Sequence, residues 1–469
     1  MVEATRPERH LSSLVRQRIR SLPLVRIGQA RESRLNARLD DLTERLINVE
    51  RVNLALIDST NALLRHTSQV GSRLTVVFLV SNISSFDTIR EVISLMRSDE
   101  RFQVIVASIH SRLTATQPFE NEPQTHEYLV EQGIEHIRLP FDVPGLALLK
   151  QINPDIIVRQ SQWDNDVQLH YSAQFLNFTH LVMIEYALGN PVDAPTVSPM
   201  YLHENYDSPL ARMAWRVYKF LTIGVADKLR EDFAPDPHNR VEVGSPLVAS
   251  LLSAEPTWFR QTANQKIYWT AHHTIGSDWM KFGLLPAIYQ DLLVLARNHP
   301  DTDFVLSEHP SLRGRIRYSD SPLSIQGFDR WLAEWTALPN TFEQTGADFA
   351  GYMKGADVVI TDGLSPLIEA QIVGKPLIFL DRDGHSPFNA YGQRLATGFH
   401  VVPESPTMVQ SAFDLAKKLM VSDPLKNDQE QNRELWTKYP DSARLIVEDM
   451  ASLLAGRTDQ SGQSPAPRY

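Results

Sequence analysis

The side chains able to do chemistry gather in three short runs. In the first, Trp269-Thr270-Ala271-His272-His273-Thr274-Ile275-Gly276, two histidines directly follow an apolar, strand-like stretch. Imidazoles at such a strand end can donate to phosphate oxygens or shuttle protons. The second, Ser307-Glu308-His309-Pro310, repeats the placement, with Pro310 ending the strand and holding the imidazole in a turn. The third runs from Ala356 to Ala370 and closes on Gly374-Lys375-Pro376. Its Asp362-Gly363 turn leads into a helix predicted to be capped by Ser365, with Pro366 at the first helical position. Free amides and the dipole at that helix start suit a diphosphate. Glu369, one turn on, is placed to accept hydrogen bonds from ribose hydroxyls. Two Asp-x-Asp strings remain. Asp301-Thr302-Asp303 reads as a solvated helix-to-strand loop, and Asp381-Arg382-Asp383 follows a strand toward the same rim. No metal and no cofactor are expected at either.

Strand ends need strands behind them. Residues 74–80 form an unbroken apolar run of strand length, followed by a helical period over 86–96 and a strand over 102–107. A helix over 124–132 and a strand over 134–139 come next, and the alternation continues through 146–152, 155–158 and 181–184. A second series begins with a strand at 266–270, a helix at 279–297 and a strand at 304–307. It proceeds through a helix at 349–354, a strand at 358–361, a helix at 366–373 and a strand at 376–380, then helices at 408–420 and 442–455. Strands alternating with helices build βαβ units and a parallel sheet. The expected architecture is α/β: two Rossmann-like domains, residues 70–255 and 256–456, facing a cleft, with the polar, Pro256-containing stretch 254–264 as hinge. No GxGxxG and no GxxxxGK[ST] occurs, which sets aside dinucleotide-dependent hydride transfer and P-loop chemistry.

The chain of 469 residues is 42% hydrophobic and 22% charged, enough for sizeable cores and unlike a disordered composition. It has no cysteine, so disulfides, thiolate metal sites and cysteine nucleophiles fall away together. No apolar run nears the roughly 18 residues of a membrane helix. No apolar h-region marks a secretory signal, so a cytoplasmic protein is expected. Charge is uneven: residues 1–38 hold nine arginines against three glutamates, a net of +6 in a chain of −10, which leaves a body of −16. An acidic body argues against nucleic acid as a partner.

Residues 1–34 interleave Leu11, Leu14, Val15 and Ile19 with arginines. The pattern fits a peripheral helix on an anionic membrane surface, and equally a solvated arm or a partner-binding helix. Over 35–69, Leu35, Leu39, Leu42, Leu46, Val49, Asn53, Leu56 and Leu63 keep heptad spacing with one lapse at Thr60. A coiled coil joining copies of the chain into a homo-oligomer through 35–66 is expected, with an intramolecular helix as the alternative. Residues 457–469, rich in Ser, Gln, Pro and Gly, read as a disordered tail.

In their order and spacing the three runs resemble the catalytic half of the CDP-glycerol glycerophosphotransferase family, whose members build teichoic acids and related polymers on a GT-B fold. That family's Trp-x-Pro-His-His strand end resembles Trp269-Thr270-Ala271-His272-His273, with Ala271 in place of proline. Its His-Pro turn resembles His309-Pro310, and its Ile-Thr-Asp-x-x-Ser segment, followed by an acid and Gly-Lys-Pro, resembles residues 360–376. The match is specific over 265–385 and loose over 73–250. It implies a CDP-activated donor bound by the second domain, its phosphates on His309, Asp362 and Ser365, with Gly363 and Glu369 in the same site. His272 or His273 would line that cleft, and a polymer or lipid-linked acceptor would sit on the first domain. Where many teichoic acid polymerases carry a His-Gly-Thr motif, this chain reads Met183-Ile184-Glu185-Tyr186-Ala187-Leu188-Gly189-Asn190. Glu185 then serves as the base, or equally as a plain hydrogen-bonding residue. The implied reaction transfers glycerol phosphate or a similar polyol phosphate. An acceptor hydroxyl, deprotonated by Glu185, attacks the donor phosphoryl group while His309, Ser365 and the helix start neutralise the leaving CMP.

Two other functions fit the same residues. The Ser-x-x-x-Glu and Gly-x-Pro elements within 365–376 also resemble the nucleotide-sugar segment of GT-B glycosyltransferases and sugar 2-epimerases. The first alternative is therefore a GT-B glycosyltransferase using a nucleotide sugar in surface polysaccharide synthesis. The second is a non-catalytic, membrane-associated assembly factor recruited through its heptads.

Overall fold

The computed structural model describes residues 73–112, 118–192, 209–219, 239–276, 278, 280–318, 321–346 and 348–461. The basic segment 1–34, the heptad segment 35–69 and residues 462–469 of the expected tail lie outside the described residues.

Strands apolar on both faces can only sit in the middle of a covered, parallel sheet. Leu74–Val80 (β1) is such a strand: Val76, Phe78 and Val80 face one buried layer, Val77 and Leu79 the other. Around it lie Phe102–Ile109 (β2), Ile137–Leu139 (β3), Ile156–Arg159 (β4), His180–Ile184 (β5), Arg216–Lys219 (β6) and Arg240–Glu242 (β7), in the order β3-β2-β1-β4-β5-β6-β7. Every pair is parallel, with Leu74 opposite Phe102 and Val76 opposite Ile156.

The second sheet repeats the plan. Gln265–Ala271 (β8) is central, with Ile267 and Trp269 in one layer and Tyr268 in the other. Thr302–Glu308 (β9), Thr341–Gln344 (β10), Val358–Thr361 (β11), Leu377–Asp381 (β12) and His400–Pro403 (β13) complete the parallel order β10-β9-β8-β11-β12-β13. Strand order reverses between β1 and β4 in one sheet and between β8 and β11 in the other. At such switch points open α/β sheets form their ligand crevices.

Three features depart from the sequence expectation. The helix expected over 279–297 begins only at Leu285, because the described residues within 272–284 form a loop at the strand ends. Asp303 is fully buried rather than solvated: its carboxylate pairs with Arg260 and also accepts from Trp258 Nε1 and Asn264 Nδ2. The last helix, Ser442–Ser461, runs five residues into the expected tail. Although it follows the second sheet in sequence, its Ala443, Ile446, Val447 and Met450 pack into the core layer of β1. Arg101–Glu448 and Tyr218–Asp449 contacts of 2.7 Å tie it there. No helix among the described residues is long and apolar enough to cross a membrane.

The loop after β5 is anchored on the second domain. Leu188 and Val192 belong to the core layer of Tyr268 and Phe379. The Leu188 carbonyl accepts from Tyr391 Oη at 2.7 Å, and that oxygen accepts from Trp436 Nε1 at 2.9 Å. Asn389 adds its backbone amide to the Pro191 carbonyl at 3.0 Å and its Nδ2 to the Asn190 carbonyl at 2.9 Å. Gly189 has φ +91°, and a Cβ there would lie 2.6 Å from the Tyr391 ring, so only glycine fits. Tyr391→Phe strands a buried carbonyl and a buried indole N–H together. It is expected to lower the unfolding free energy by about 2 kcal/mol, read as an earlier urea transition in tryptophan fluorescence.

Candidate functional site

The C-terminal ends of β8, β9 and β11 meet at the second switch point, and one carboxylate joins them. Asp362, 1% exposed, accepts the His272 amide on Oδ1 and the Leu284 amide on Oδ2, both at 2.6 Å. It thereby pins the two ends of the loop 272–284 to the end of β11. Burial pushes this carboxyl up to about 6, against the pull of its backbone donors and Arg382. Arg382 Nη1 closes the same loop through the carbonyls of Thr274 (3.3 Å) and Gly283 (3.0 Å). A Cβ on Gly283 would sit 2.7 Å from the His272 carbonyl, so the loop folds back only on glycine. Asp381, from the second Asp-x-Asp string, pairs with His385 at 2.8 Å.

Three imidazoles stack on this base. The centroid of His273 lies 4.0 Å from that of His309 and 4.5 Å from that of His272. His309 Nδ1 accepts the Ser311 amide at 3.1 Å, and His272 Nδ1 lies 2.8 Å from Thr274 Oγ1. His273 Nδ1 is buried without a hydrogen-bond partner. Burial lowers all three pKa values, His309 to about 4 with the help of Arg315, and His272 and His273 well below the usual histidine range. The cluster is a set of neutral imidazoles. Neighbouring rings are tilted by 30° and 47°, His272 meets His309 edge-on at 66°, and among the described residues no group of three or more His, Asp or Glu has metal-binding geometry. Glu308 faces away from them, toward Arg313 at 3.3 Å.

The helix after β11 starts earlier than expected. It spans Leu364–Ile372 with Gly363 as its N-cap, so Ser365 is the second helical residue and Pro366 the third. The cause is Thr361, whose Oγ1 takes the Gly363 amide at 2.7 Å and turns the chain two residues sooner. Ser365 is left exposed, its hydroxyl free of any capping role. The first-turn amides of Leu364 and Ser365 have no partner within the helix, and proline at the third position lacks the next donor. A Cβ on Gly363 would touch His272 Cδ2 at 3.4 Å, so the imidazole edge lies against this helix start. One turn on, Glu369 keeps partial exposure, and burial alone, with no hydrogen bond or charge to offset it, raises its carboxyl to about 7.

His272, His273, His309, Asp362 and Gly363 are thus brought into one site, with Ser365 and Glu369 on the helix that leaves it. Glu185 belongs to the other sheet, at the end of β5, 5% exposed, with its amide on the Tyr218 carbonyl at 2.9 Å. Sequence reasoning missed Thr274 and Arg382, which shape the loop, and Arg315, which pairs with Asp278 of that loop at 3.2 Å; nothing in their spacing marks them out.

No family profile and no curated protein matches the sequence. Solved structures do resemble the fold. A Neisseria meningitidis UDP-GlcNAc 2-epimerase bound to UDP-GlcNAc has a TM-score of 0.53 at 15% identity, over 81% of this chain and 100% of its own. A Methanocaldococcus jannaschii UDP-GlcNAc 2-epimerase in complex with UDP-GlcNAc and UDP gives 0.51 at 12%, over 81% and 100%. The S. aureus MnaA–UDP structure gives 0.52 at 12%, over 84% and 100%. The chain therefore has the GT-B fold, two Rossmann-like domains with parallel sheets. The resemblance to CDP-glycerol glycerophosphotransferases is overturned: the similar structures are UDP-GlcNAc 2-epimerases, and no family profile or curated protein supports it. One fold hosts many functions, so short strand-end motifs of His, Asp and Ser do not separate its families.

Imidazoles kept neutral by burial favour folding only where the unfolded chain is also unprotonated. The unfolded chain takes up protons near 6.5 and folded His309 only near 4, so stability is full above 6.5 and is lost as pH falls between those values. His309→Gln is expected to remove on the order of 3 kcal/mol of that acid sensitivity, measured by urea unfolding near neutral pH and again near pH 4.

Proposed function

We propose that the protein is a nucleotide-sugar enzyme, a GT-B glycosyltransferase whose donor is a UDP-sugar held by the second domain. The observation that carries this is Glu369, a desolvated carboxylate with nothing offsetting its burial, one turn below a helix start with free amides and His272 at its side. Nucleoside diphosphates have the complementary pattern: a ribose diol to donate to the carboxylate, and diphosphate oxygens to accept from the amides and imidazoles. The similar solved structures carry UDP or UDP-GlcNAc by their titles, which supports uridine as the base.

In the transfer, the bond from sugar C1 to the diphosphate oxygen breaks and the acceptor oxygen bonds to C1. The acceptor proton goes to a carboxylate, for which Glu185 at the end of β5 is the candidate from the first domain. The departing charge stays on the diphosphate, where preorganised donors stabilise it. A second reading, 2-epimerisation of a UDP-sugar, is favoured by the names of the similar structures. The two differ in a product assay: transfer consumes UDP-GlcNAc only when an acceptor is present, whereas epimerisation needs none.

Titration calorimetry with UDP-GlcNAc, UDP, CDP and GDP tests the site. Binding of the uridine compounds, weakened about tenfold or more in Glu369→Ala, is expected; a chain that binds none of the four is not a nucleotide-sugar enzyme. The pH dependence adds a sharper check. A diol donates best to an ionised carboxylate, and Glu369 is held near 7. UDP-GlcNAc, whose diphosphate charge is constant in this range, is therefore expected to bind more tightly at about pH 8 than at about pH 6, and Glu369→Gln is expected to flatten the profile.

A further inference from the structure

Thr274 is fully buried within the loop 272–284, and its hydroxyl has two neighbours. Phe282 donates its amide to Oγ1 at 3.0 Å, and His272 Nδ1 stands 2.8 Å away. The Thr274 amide also points at the same Nδ1, at 3.4 Å. A buried hydroxyl that already accepts one N–H must place its own proton on an acceptor. The ring nitrogen is the acceptor at hand, and a nitrogen facing both an O–H and an N–H carries no proton itself. His309 is arranged the same way by a backbone group, the Ser311 amide at 3.1 Å from its Nδ1.

We infer that Thr274 is a positioning residue: it locks His272 as the Nε2–H tautomer, so that His272 and His309 both offer an Nε2–H donor to an anionic ligand at the start of helix Leu364–Ile372. The Cδ2 edge of His272, adjacent to Nε2, already lies against Gly363 at that helix start. The ligand class is the diphosphate of the nucleotide sugar, so the binding half of the inference rests on the proposed function. The tautomer half does not. The donors are neutral. They therefore recognise phosphate oxygens by hydrogen bonding, without the strong hydration of a lysine ammonium.

The test uses the whole protein labelled with 15N-histidine; the chain has 15 histidines, and His272→Gln identifies the His272 resonances by their loss. The expected spectrum of the wild type shows His272 with a protonated Nε2 and a bare Nδ1, unchanged between about pH 6 and about pH 8. A protonated Nδ1 overturns the inference, whatever the variants do. Thr274→Val removes the hydroxyl at equal volume and is expected to mix the tautomers and to weaken UDP-GlcNAc binding about tenfold, with Thr274→Ser restoring both. A folded Thr274→Val that keeps the pure Nε2–H form, or binds as the wild type does, removes Thr274 from the role. Should Thr274→Val not fold, the wild-type spectrum and Thr274→Ser still decide. A wild type with the expected tautomer that binds no uridine nucleotide overturns the ligand, and with it the proposed function, while leaving the tautomer lock in place.

Discussion

At each switch point one side chain reaches across from the neighbouring strand end and takes two backbone amides. In the second domain it is Asp362, holding His272 and Leu284; in the first it is Gln160, whose Oε1 accepts Ser81 at 2.8 Å and Asn82 at 2.9 Å. Parallel sheets leave their crevice open exactly where the order reverses, and the amides there need acceptors. The rest of the site hangs on the Asp362 pairings, since the loop they pin carries His272, His273, Thr274 and the Gly283 fold-back.

The helix starts at the two crevices differ. The helix after β1 begins with Asp87, bonded to Arg90 and to Ser250 from the helix Pro246–Ser253. An acid in the first turn answers the helix dipole from within, and leaves little attraction for an outside anion. The helix after β11 has no acid in its first turn, an exposed Ser365 and imidazoles beside it. The same fold, used twice, thus leaves only one of these two helix starts without an acid in its first turn.

Much of this was legible from residues alone. The alternation of buried strands and helices from 74 to 420 is a strong periodic signal, and the α/β class, the two domains and the cleft followed from it. The histidines and Asp362 were found because they sit directly after apolar strands. Short strands such as β6 and the edge strands β7, β10 and β13, of three or four residues each, carry too few residues for any period to register. Polar helices such as Lys426–Trp436 show little apolar stripe because they bury amides, as Gln429 and Asn432 do. The cap of the helix after β11 was misplaced because Thr361, three residues before the helix starts, redirects the Gly363 amide, a tertiary choice that propensity does not contain. The family resemblance fails for a related reason: short strand-end motifs are shared by families of one fold, and only the chain as a whole separates them.

The return of helix Ser442–Ser461 to the first sheet has a bearing on biosynthesis. The layer formed by Val76, Phe78 and Val80 is closed by Ala443, Ile446, Val447 and Met450, residues translated some 360 positions later. Domains ordinarily fold in the order they leave the ribosome. Here the first domain emerges early, yet one of its apolar faces stays unsealed until the final helix has cleared the exit tunnel. The nascent chain therefore carries part of that layer uncovered, beside the early helix of Ile89, Val92 and Met96, throughout synthesis of the second domain, and a message truncated before the last helix yields a polypeptide in which that part stays exposed.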